Sequence, residues 1–373
     1  MILKKIISKL IFFIQILKLA RINGIKYAYN YLHFRMYYGT NKKFFLNQIY
    51  KNIPYPSYLE IEITTRCNLK CAICERTFWK EPSVDMPFEK FMHIINQFPQ
   101  LKWIGLTGIG ESFMHKDYIK ILTILKQRNI YIELYDNFHF VDKEKAEKLV
   151  ELKIDKMFVS MDAATSEAYK KIRCSDEFGK VVNNVKQLFA VKKIKKSIFP
   201  EFVFHFIINK HNVNEIADFV NLVHSIAGSG AVIQFTVLMH SFPEIAGIVI
   251  NEDISDQKNE ALNRAKKFGI KIYFNQNASC KKPTVNNCSA WLMPFIFVTG
   301  EVIPCCAANE ANRRDFQKKY SMGNIFETDF KSIWYGEKYS EFRENLSKCI
   351  IPIQCGDCPI FDVEKDNYEY TSN

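Results

Sequence analysis

A chain of 373 residues, 48% apolar and 24% charged, is long enough for one large α/β domain and a smaller one, and this composition excludes a disordered, collagenous or low-complexity protein. The net charge of +11 is local, because residues 1–59 hold ten Lys and Arg and no Asp or Glu, leaving 41 basic against 40 acidic residues in the rest. The body therefore lacks the basic face that nucleic acid requires, and no nucleic-acid partner is expected.

In chain order, the first element is MILKKIISKLIFFIQILKLARINGIK. On a helical wheel Lys4, Lys5, Ser8, Lys9, Gln15, Lys18 and Lys26 fall on one side. Ile2, Leu3, Ile6, Leu10, Phe13 and Leu17 fall opposite, with Phe12 and Leu19 out of pattern. Two readings stand: a basic amphipathic helix that rests on an anionic membrane surface through residues 1–30, or a helix packed on the protein body. A spanning helix is disfavoured, because Lys9, Gln15, Lys18 and Arg21 interrupt any apolar run of the needed length. A cleaved signal peptide is disfavoured by the cysteines that follow. Residues 1–52 read as a basic, apolar helical arm.

YLEIEITT alternates apolar and polar residues, the mark of a strand, and runs straight into TTRCNLKCAICERTFW. Cys67, Cys71 and Cys74 thus lie on the loop that leaves the strand's C-terminal end. The eleven cysteines cluster at the two ends of a long α/β pattern, which suits metal ligation in a reducing compartment better than a disulfide scaffold. Four thiolates normally complete a [4Fe–4S] cluster, and three leave one iron open to a chelating molecule. A zinc knuckle, or a structural cluster with a remote fourth ligand, is the alternative.

Next, LKWIGLTGIGESFMHKDYIKIL reads as strand, glycine-rich turn and helix, with Gly110 and Glu111 at the strand end. Glycine permits close backbone approach, and Glu supplies an acceptor for an ammonium group. NIYIELYDN is a strand ending at Asn137, and IDKMFVSMDA one ending at Ser160 and Asp162. TSEAYKKIR follows as an N-capped helix whose Arg173 can grip a carboxylate bidentately. With FPEFVFHFIINK and AVIQFTVLMH this makes six strands, near 58–64, 101–107, 130–135, 154–161, 201–208 and 231–238. Helices between them predict a parallel sheet with right-handed crossovers.

The pattern changes after Gln276. Apolar runs either side of Thr299 and Gly300 predict a β-hairpin that brings Cys288 and Cys305 together, and Cys355 and Cys358 add a CxxC pair. These four cysteines are candidate metal ligands, with Cys306 or Cys349 as substitutes for one of them and a zinc ribbon as the alternative. Cys174 and Cys280 read as buried thiols outside any metal site.

The CxxxCxxC run after the first strand, Gly110–Glu111, the SMDA strand end and YKKIR resemble the radical S-adenosylmethionine (radical SAM) superfamily. The region from Cys288 to Cys358 resembles its SPASM extension, which here lacks the cysteines that usually follow the CxxC pair. The resemblance covers about residues 56–362 and implies an α/β fold: a (β/α)6 partial TIM barrel with a small SPASM-like hairpin-and-helix domain. It implies a core at 53–270, an auxiliary domain at 271–365 and a tail at 366–373. It also implies a [4Fe–4S] cluster on Cys67, Cys71 and Cys74 that binds S-adenosylmethionine, and one auxiliary [4Fe–4S] cluster on Cys288, Cys305, Cys355 and Cys358.

By the same resemblance Gly110 and Glu111 receive the methionine amino group and Arg173 its carboxylate, while Asn137, Ser160 and Asp162 line the strand ends and Ile73 stands where an aromatic residue often contacts the adenine. The implied chemistry is reductive cleavage to a 5′-deoxyadenosyl radical and hydrogen abstraction, driven by a one-electron reductant of flavodoxin or ferredoxin type. Dehydrogenation of a sugar or aminocyclitol alcohol is the leading expectation, with a lipid-linked sugar as a variant suggested by the arm. A peptide or protein maturase is the second expectation, and a non-enzymatic Fe–S or zinc scaffold a third from another class. The expected location is the cytoplasm, with a peripheral position on the inner face of the membrane under the membrane-surface reading of the arm.

Overall fold

The computed structural model describes residues 10, 12–14, 16–21, 24–37, 43–238, 242–275, 288–311, 313–356 and 358. Cys280 lies outside them. Six parallel strands form the centre: β1 (Tyr58–Ile61), β2 (Trp103–Leu106), β3 (Tyr131–Asp136), β4 (Lys156–Ser160), β5 (Glu201–Ile208) and β6 (Val232–Val237), paired in that order. A strand outside the expected six, β7 (Lys271–Asn275), pairs parallel with β6, so the core sheet continues past residue 270 to Asn275.

The expected hairpin forms as β8 (Phe295–Ile296) and β9 (Glu301–Ile303), with Gly300 at φ +96° in the turn. It is not a separate sheet. β8 pairs parallel with β1, Glu60 opposite Phe295, and β10 (Gly323–Asn324) closes the far edge. One ten-stranded sheet therefore carries both cysteine groups, with β7 and β10 at its open edges.

Strand alternation sets the two faces. Ile132, Leu134, Met157, Val159, Phe204, Phe206, Ile233 and Phe235 are buried outward among the helices in the main core, each contributing about 1.5–3 kcal/mol of transfer free energy. Their alternating neighbours form a strip across the inner face. Tyr135 stacks on Phe158 at 4.5 Å, Phe158 meets His205 edge-on at 6.4 Å, and His205 Nε2 lies 3.1 Å from Thr236 Oγ1. Lys156 Nζ lies 4.0 Å from Glu133 Oε2 and 4.3 Å from the Phe158 ring centroid. The barrel interior is thus polar as well as aromatic.

The N-terminal ends of the strands are plugged by rings. Trp103 stacks on Tyr131 at 3.6 Å, and Tyr58 joins them. The helix Ile25–Tyr37 lays Tyr27 and Tyr31 over this plug, and Tyr27 donates a hydrogen bond to the buried carboxylate of Asp155. Asp155 also accepts from Ile132 N at 2.7 Å and pairs with Lys126 at 2.8 Å. Part of the arm is accordingly a floor for the barrel.

Residues 10, 12–14 and 16–21 are helical and divide between two faces. Phe12, Ile16, Leu19 and Ala20 pack on the plug, whereas Leu10, Phe13 and Leu17 are 58%, 59% and 54% exposed. Phe12 and Leu19, out of pattern on the wheel, are the residues that dock. No helix among the described residues is long and apolar enough to cross a membrane.

Candidate functional site

The three cysteines of the first group sit where β1 leaves the sheet, on a loop pinned from several sides. Arg66 N bonds Thr64 Oγ1 at 3.0 Å, and Arg66 Nη1 pairs with Asp85 at 2.9 Å. Thr65 Oγ1 donates to Pro82 O at 2.6 Å, and Arg76 Nε donates to Thr65 O. Ala72 N reaches Ile172 O at 2.7 Å, tying the loop to the Ser166–Arg173 helix, and Cys74 caps the short helix Glu75–Phe78. Cys71 is buried, and Cys67 and Cys74 are half-buried. Desolvation pushes the Cys67 thiol up to about 11 and raises those of Cys71 and Cys74. Arg173, with Nη1 3.5 Å from Cys71 Sγ, offsets only part of this desolvation, and bound cluster iron would supply the remaining positive charge to the thiolates.

Gly110 approaches the same loop closely. A Cβ there would lie 2.2 Å from Thr64 O and 2.9 Å from Arg66 O. Glu111, buried beside it, donates its backbone N–H to Arg66 O at 2.7 Å and accepts from Phe113 N at 3.2 Å and Asn137 N at 3.0 Å. Burial, then the neighbouring Glu111, pushes Asp136 well above the usual carboxylate range. Burial raises Glu111 as well, and its two backbone N–H donors, from Phe113 and Asn137, favour its charged form and leave it acceptor capacity for an ammonium group. Asn137 is already engaged, its Nδ2 donating to Asn68 Oδ1 at 2.9 Å and its Oδ1 accepting from His139 N at 3.0 Å.

The helix that carries Arg173 starts at the expected cap, Thr165 Oγ1 accepting from Ala168 N at 3.2 Å. Arg173 is buried, with Nη1 3.5 Å from Cys71 Sγ and Nη2 2.5 Å from Asp162 Oδ2. Its buried Nε has no hydrogen-bond partner among the described residues, an open donor beside the cysteine loop. Asp162, fully buried at φ +58°, accepts from Ile207 N at 2.7 Å as well. Its carboxylate is turned to Arg173 and β5, so it positions the arginine.

Ser160 ends β4 opposite His205, half-buried on the inner face. Ile73 is buried with Leu69, Ile172, Leu238 and Ile245 in an apolar cluster against the cysteines. Cys174 is exposed, not buried as expected, because it forms the left-handed C-cap of its helix at φ 52°.

Cys288, Cys305, Cys355 and Cys358 line one cavity, with Ala290, Trp291, Ala307, Ala308, Phe342 and Gln354. Cys306 and Cys349 are not among its lining residues. Trp291 Nε1 donates to Cys288 O at 3.1 Å, and Tyr50 from the arm stacks on Trp291 at 5.6 Å. Desolvation raises the thiols of Cys288, Cys305 and Cys355. Four thiols around one cavity are a donor set that suits a [4Fe–4S] cluster or a tetrahedral zinc ion.

Comparison with known families agrees with this geometry. The model of the Radical SAM superfamily matches residues 61–245, and that of the SPASM iron-sulfur cluster-binding domain matches residues 288–359. This chain belongs to the radical SAM superfamily. S-Adenosylmethionine, a [4Fe–4S] cluster and an auxiliary iron–sulfur centre are accordingly its cofactors, and its fold is the partial barrel with a SPASM domain.

Among relatives, the tungsten-containing aldehyde ferredoxin oxidoreductase cofactor-modifying protein of Pyrococcus furiosus is 26% identical over 318 residues, 82% of this chain and 88% of its own length. SuiB of Streptococcus suis bound to S-adenosylmethionine superposes with a TM-score of 0.62 at 15% identity, over 80% of this chain and 70% of SuiB. Native anSMEcpe with bound AdoMet gives 0.59 at 18% identity, over 83% and 92%.

Two residues of the site carry no spacing signal. Glu62 and Arg314 form a buried ion pair of 2.7 Å across 252 positions of sequence. The clues available in the sequence were the acidic polar face of YLEIEITT and the Arg313–Arg314 doublet.

Proposed function

We propose that this radical SAM enzyme oxidises its substrate by two electrons, with the auxiliary site as the acceptor of the second, and that the substrate is a sugar or aminocyclitol alcohol. The carrying observation is that one sheet holds both a three-cysteine loop at the mouth and a four-cysteine cavity beside it. When bound, the first cluster supplies the electron that cleaves S-adenosylmethionine to methionine and a hydrogen-abstracting 5′-deoxyadenosyl radical, and the auxiliary cluster supplies an electron acceptor.

The residues at the mouth then have assigned roles in this reading. Cys67, Cys71 and Cys74 hold the first cluster. Glu111 takes the amino group and Arg173, held by Asp162, takes the carboxylate of the cofactor. Gly110 allows the backbone approach, Ile73 faces the adenine, and Asn137 and Ser160 shape the strand ends. Cys288, Cys305, Cys355 and Cys358 hold the auxiliary cluster. An alcohol carbon that has lost a hydrogen atom becomes a ketone by releasing one proton and one electron. The inner strip of Glu133, Lys156, Ser160, His205 and Thr236 supplies hydrogen bonds suited to a hydroxylated ligand.

The second reading is a peptide or protein maturase. SuiB has been solved with the precursor peptide SuiA and anSMEcpe with a Cp18Cys peptide, which favours it. Mass spectrometry of anaerobic turnovers with the reconstituted chain separates the two. A sugar or aminocyclitol product two mass units lighter and reactive with hydroxylamine is expected. A crosslinked or mass-shifted peptide, with sugar alcohols untouched, would reject the leading reading.

We also propose that Leu10, Phe13 and Leu17, with Lys18 and Arg21, rest on an anionic bilayer. This face lies at the floor of the barrel, so the mouth opens away from the surface, which favours a water-borne substrate over a lipid-linked one. Full-length chain is expected to sediment with vesicles containing phosphatidylglycerol and, after Phe13→Ser and Leu17→Ser, to stay in the supernatant. Equal sedimentation of both proteins would remove the proposal.

A further inference from the structure

Glu62 follows β1 with its side chain 1% exposed, and its Oε2 accepts from Ile109 N at 3.1 Å and from Arg314 Nη2 at 2.7 Å. Arg314 opens the helix Arg314–Lys319 of the auxiliary region, is 3% exposed, and lies over the Phe297 ring at 3.9 Å. Glycine at 108, φ +145°, leaves room for this carboxylate, because a Cβ there would stand 2.5 Å from Glu62 Cγ. The segment Gly108–Glu111 is thus fixed at both ends. Gly110 is wedged against Thr64 O and Arg66 O, and Ile109 is held by Glu62, whose charge is balanced from the auxiliary region.

The same short helix and the Arg313 that precedes it make two further ion pairs with loops at the barrel mouth. Arg313 meets Glu244 at 3.0 Å and Lys318 meets Glu81 at 2.9 Å, but these are partly exposed and screened by solvent. The Arg314–Glu62 pair is the buried one, and it alone touches the loop that leads to Glu111. A buried carboxylate deprived of its cation protonates or moves, and either change weakens its charge-assisted grip on Ile109 N.

We propose that Arg314 and Glu62 are positioning residues through which the auxiliary domain sets the loop Gly108–Glu111 for S-adenosylmethionine. The inference rests on the cofactor role given above to that loop. It places in the auxiliary domain a determinant of cofactor affinity that is separate from its cluster ligands.

The test uses the reconstituted full chain and the variants Arg314→Gln, Glu62→Gln, their double, and Glu111→Ala. Iron content, hydrogen exchange of residues 106–114 without cofactor, and the dissociation constant of labelled S-adenosylmethionine are measured. Arg314→Gln is expected to keep its iron, to lose protection in 106–114, and to bind the cofactor at least tenfold more weakly, with deoxyadenosine formation at saturating cofactor within threefold of wild type. The double variant is expected to match the worse single variant, because the two residues act as one unit. Should Arg314→Gln not fold, Arg314→Lys keeps the charge without the guanidinium fork and is expected to weaken binding three- to tenfold. Unchanged affinity and protection in the folded Arg314 variant, while Glu111→Ala binds poorly, would overturn the inference alone. Unchanged affinity in Glu111→Ala would overturn the loop's cofactor role and the inference with it.

Discussion

Gly110→Ala is expected to reduce deoxyadenosine formation by at least about a hundredfold. The new methyl would meet main-chain atoms, Thr64 O at 2.2 Å, Thr64 C at 2.7 Å and Arg66 O at 2.9 Å, none of which can rotate away as a side chain would. Those carbonyls belong to the segment that runs into Cys67, and Arg66 O is also the acceptor for Glu111 N. One methyl therefore pushes the cofactor loop and the cluster loop apart. A displacement near 1 Å costs about 10²-fold in a positioned reaction, and overpacking costs about 1–3 kcal/mol of stability. At Gly179, in the helix Phe178–Ile194, an added methyl would meet nothing within 4 Å. Gly179→Ala should leave activity unchanged and raise stability by up to about 1 kcal/mol. Equal behaviour of the two variants in turnover and thermal melts would refute the close approach at Gly110.

Cys305→Ala is expected to remove about four irons per chain and to cut oxidised product by about two orders of magnitude or more, while deoxyadenosine still forms. Cys305 is buried in the cavity shared with Cys288, Cys355 and Cys358, so an alanine there leaves one corner of the proposed auxiliary cluster without a ligand. Cys306→Ala and Cys349→Ala, outside that lining, should retain full iron. Iron analysis and product assays of the three variants decide the ligand set. Full iron in Cys305→Ala, or a loss of four in Cys306→Ala, would reassign it.

Much of this was legible because alternation and motif order are local. YLEIEITT, NIYIELYDN and FPEFVFHFIINK form strands whose Glu60, Glu133 and His205 take the inner-face positions, and Thr165 is recognisable as a cap from its immediate neighbours. What was not legible depends on distant partners. KIYFN is too short to stand out, and only its pairing with β6 makes it a strand of the core. Asp162 reads as one of several strand-end polar groups, and its role as the holder of Arg173 follows from a left-handed backbone that turns it inward. Phe12 and Leu19 break an ideal wheel because the arm has two apolar faces, one for the tyrosine and tryptophan plug and one exposed. Glu62 and Arg314 meet only once the hairpin has joined β1.

The most direct test of radical chemistry at the first cysteine group compares wild type with the Cys67→Ala, Cys71→Ala, Cys74→Ala triple variant. Both are reconstituted anaerobically with iron and sulfide, then incubated with S-adenosylmethionine and dithionite. About eight irons in wild type and about four in the variant, with 5′-deoxyadenosine from wild type alone, is the predicted result. Zinc in place of iron, or equal iron in both proteins with no deoxyadenosine from either, would contradict it.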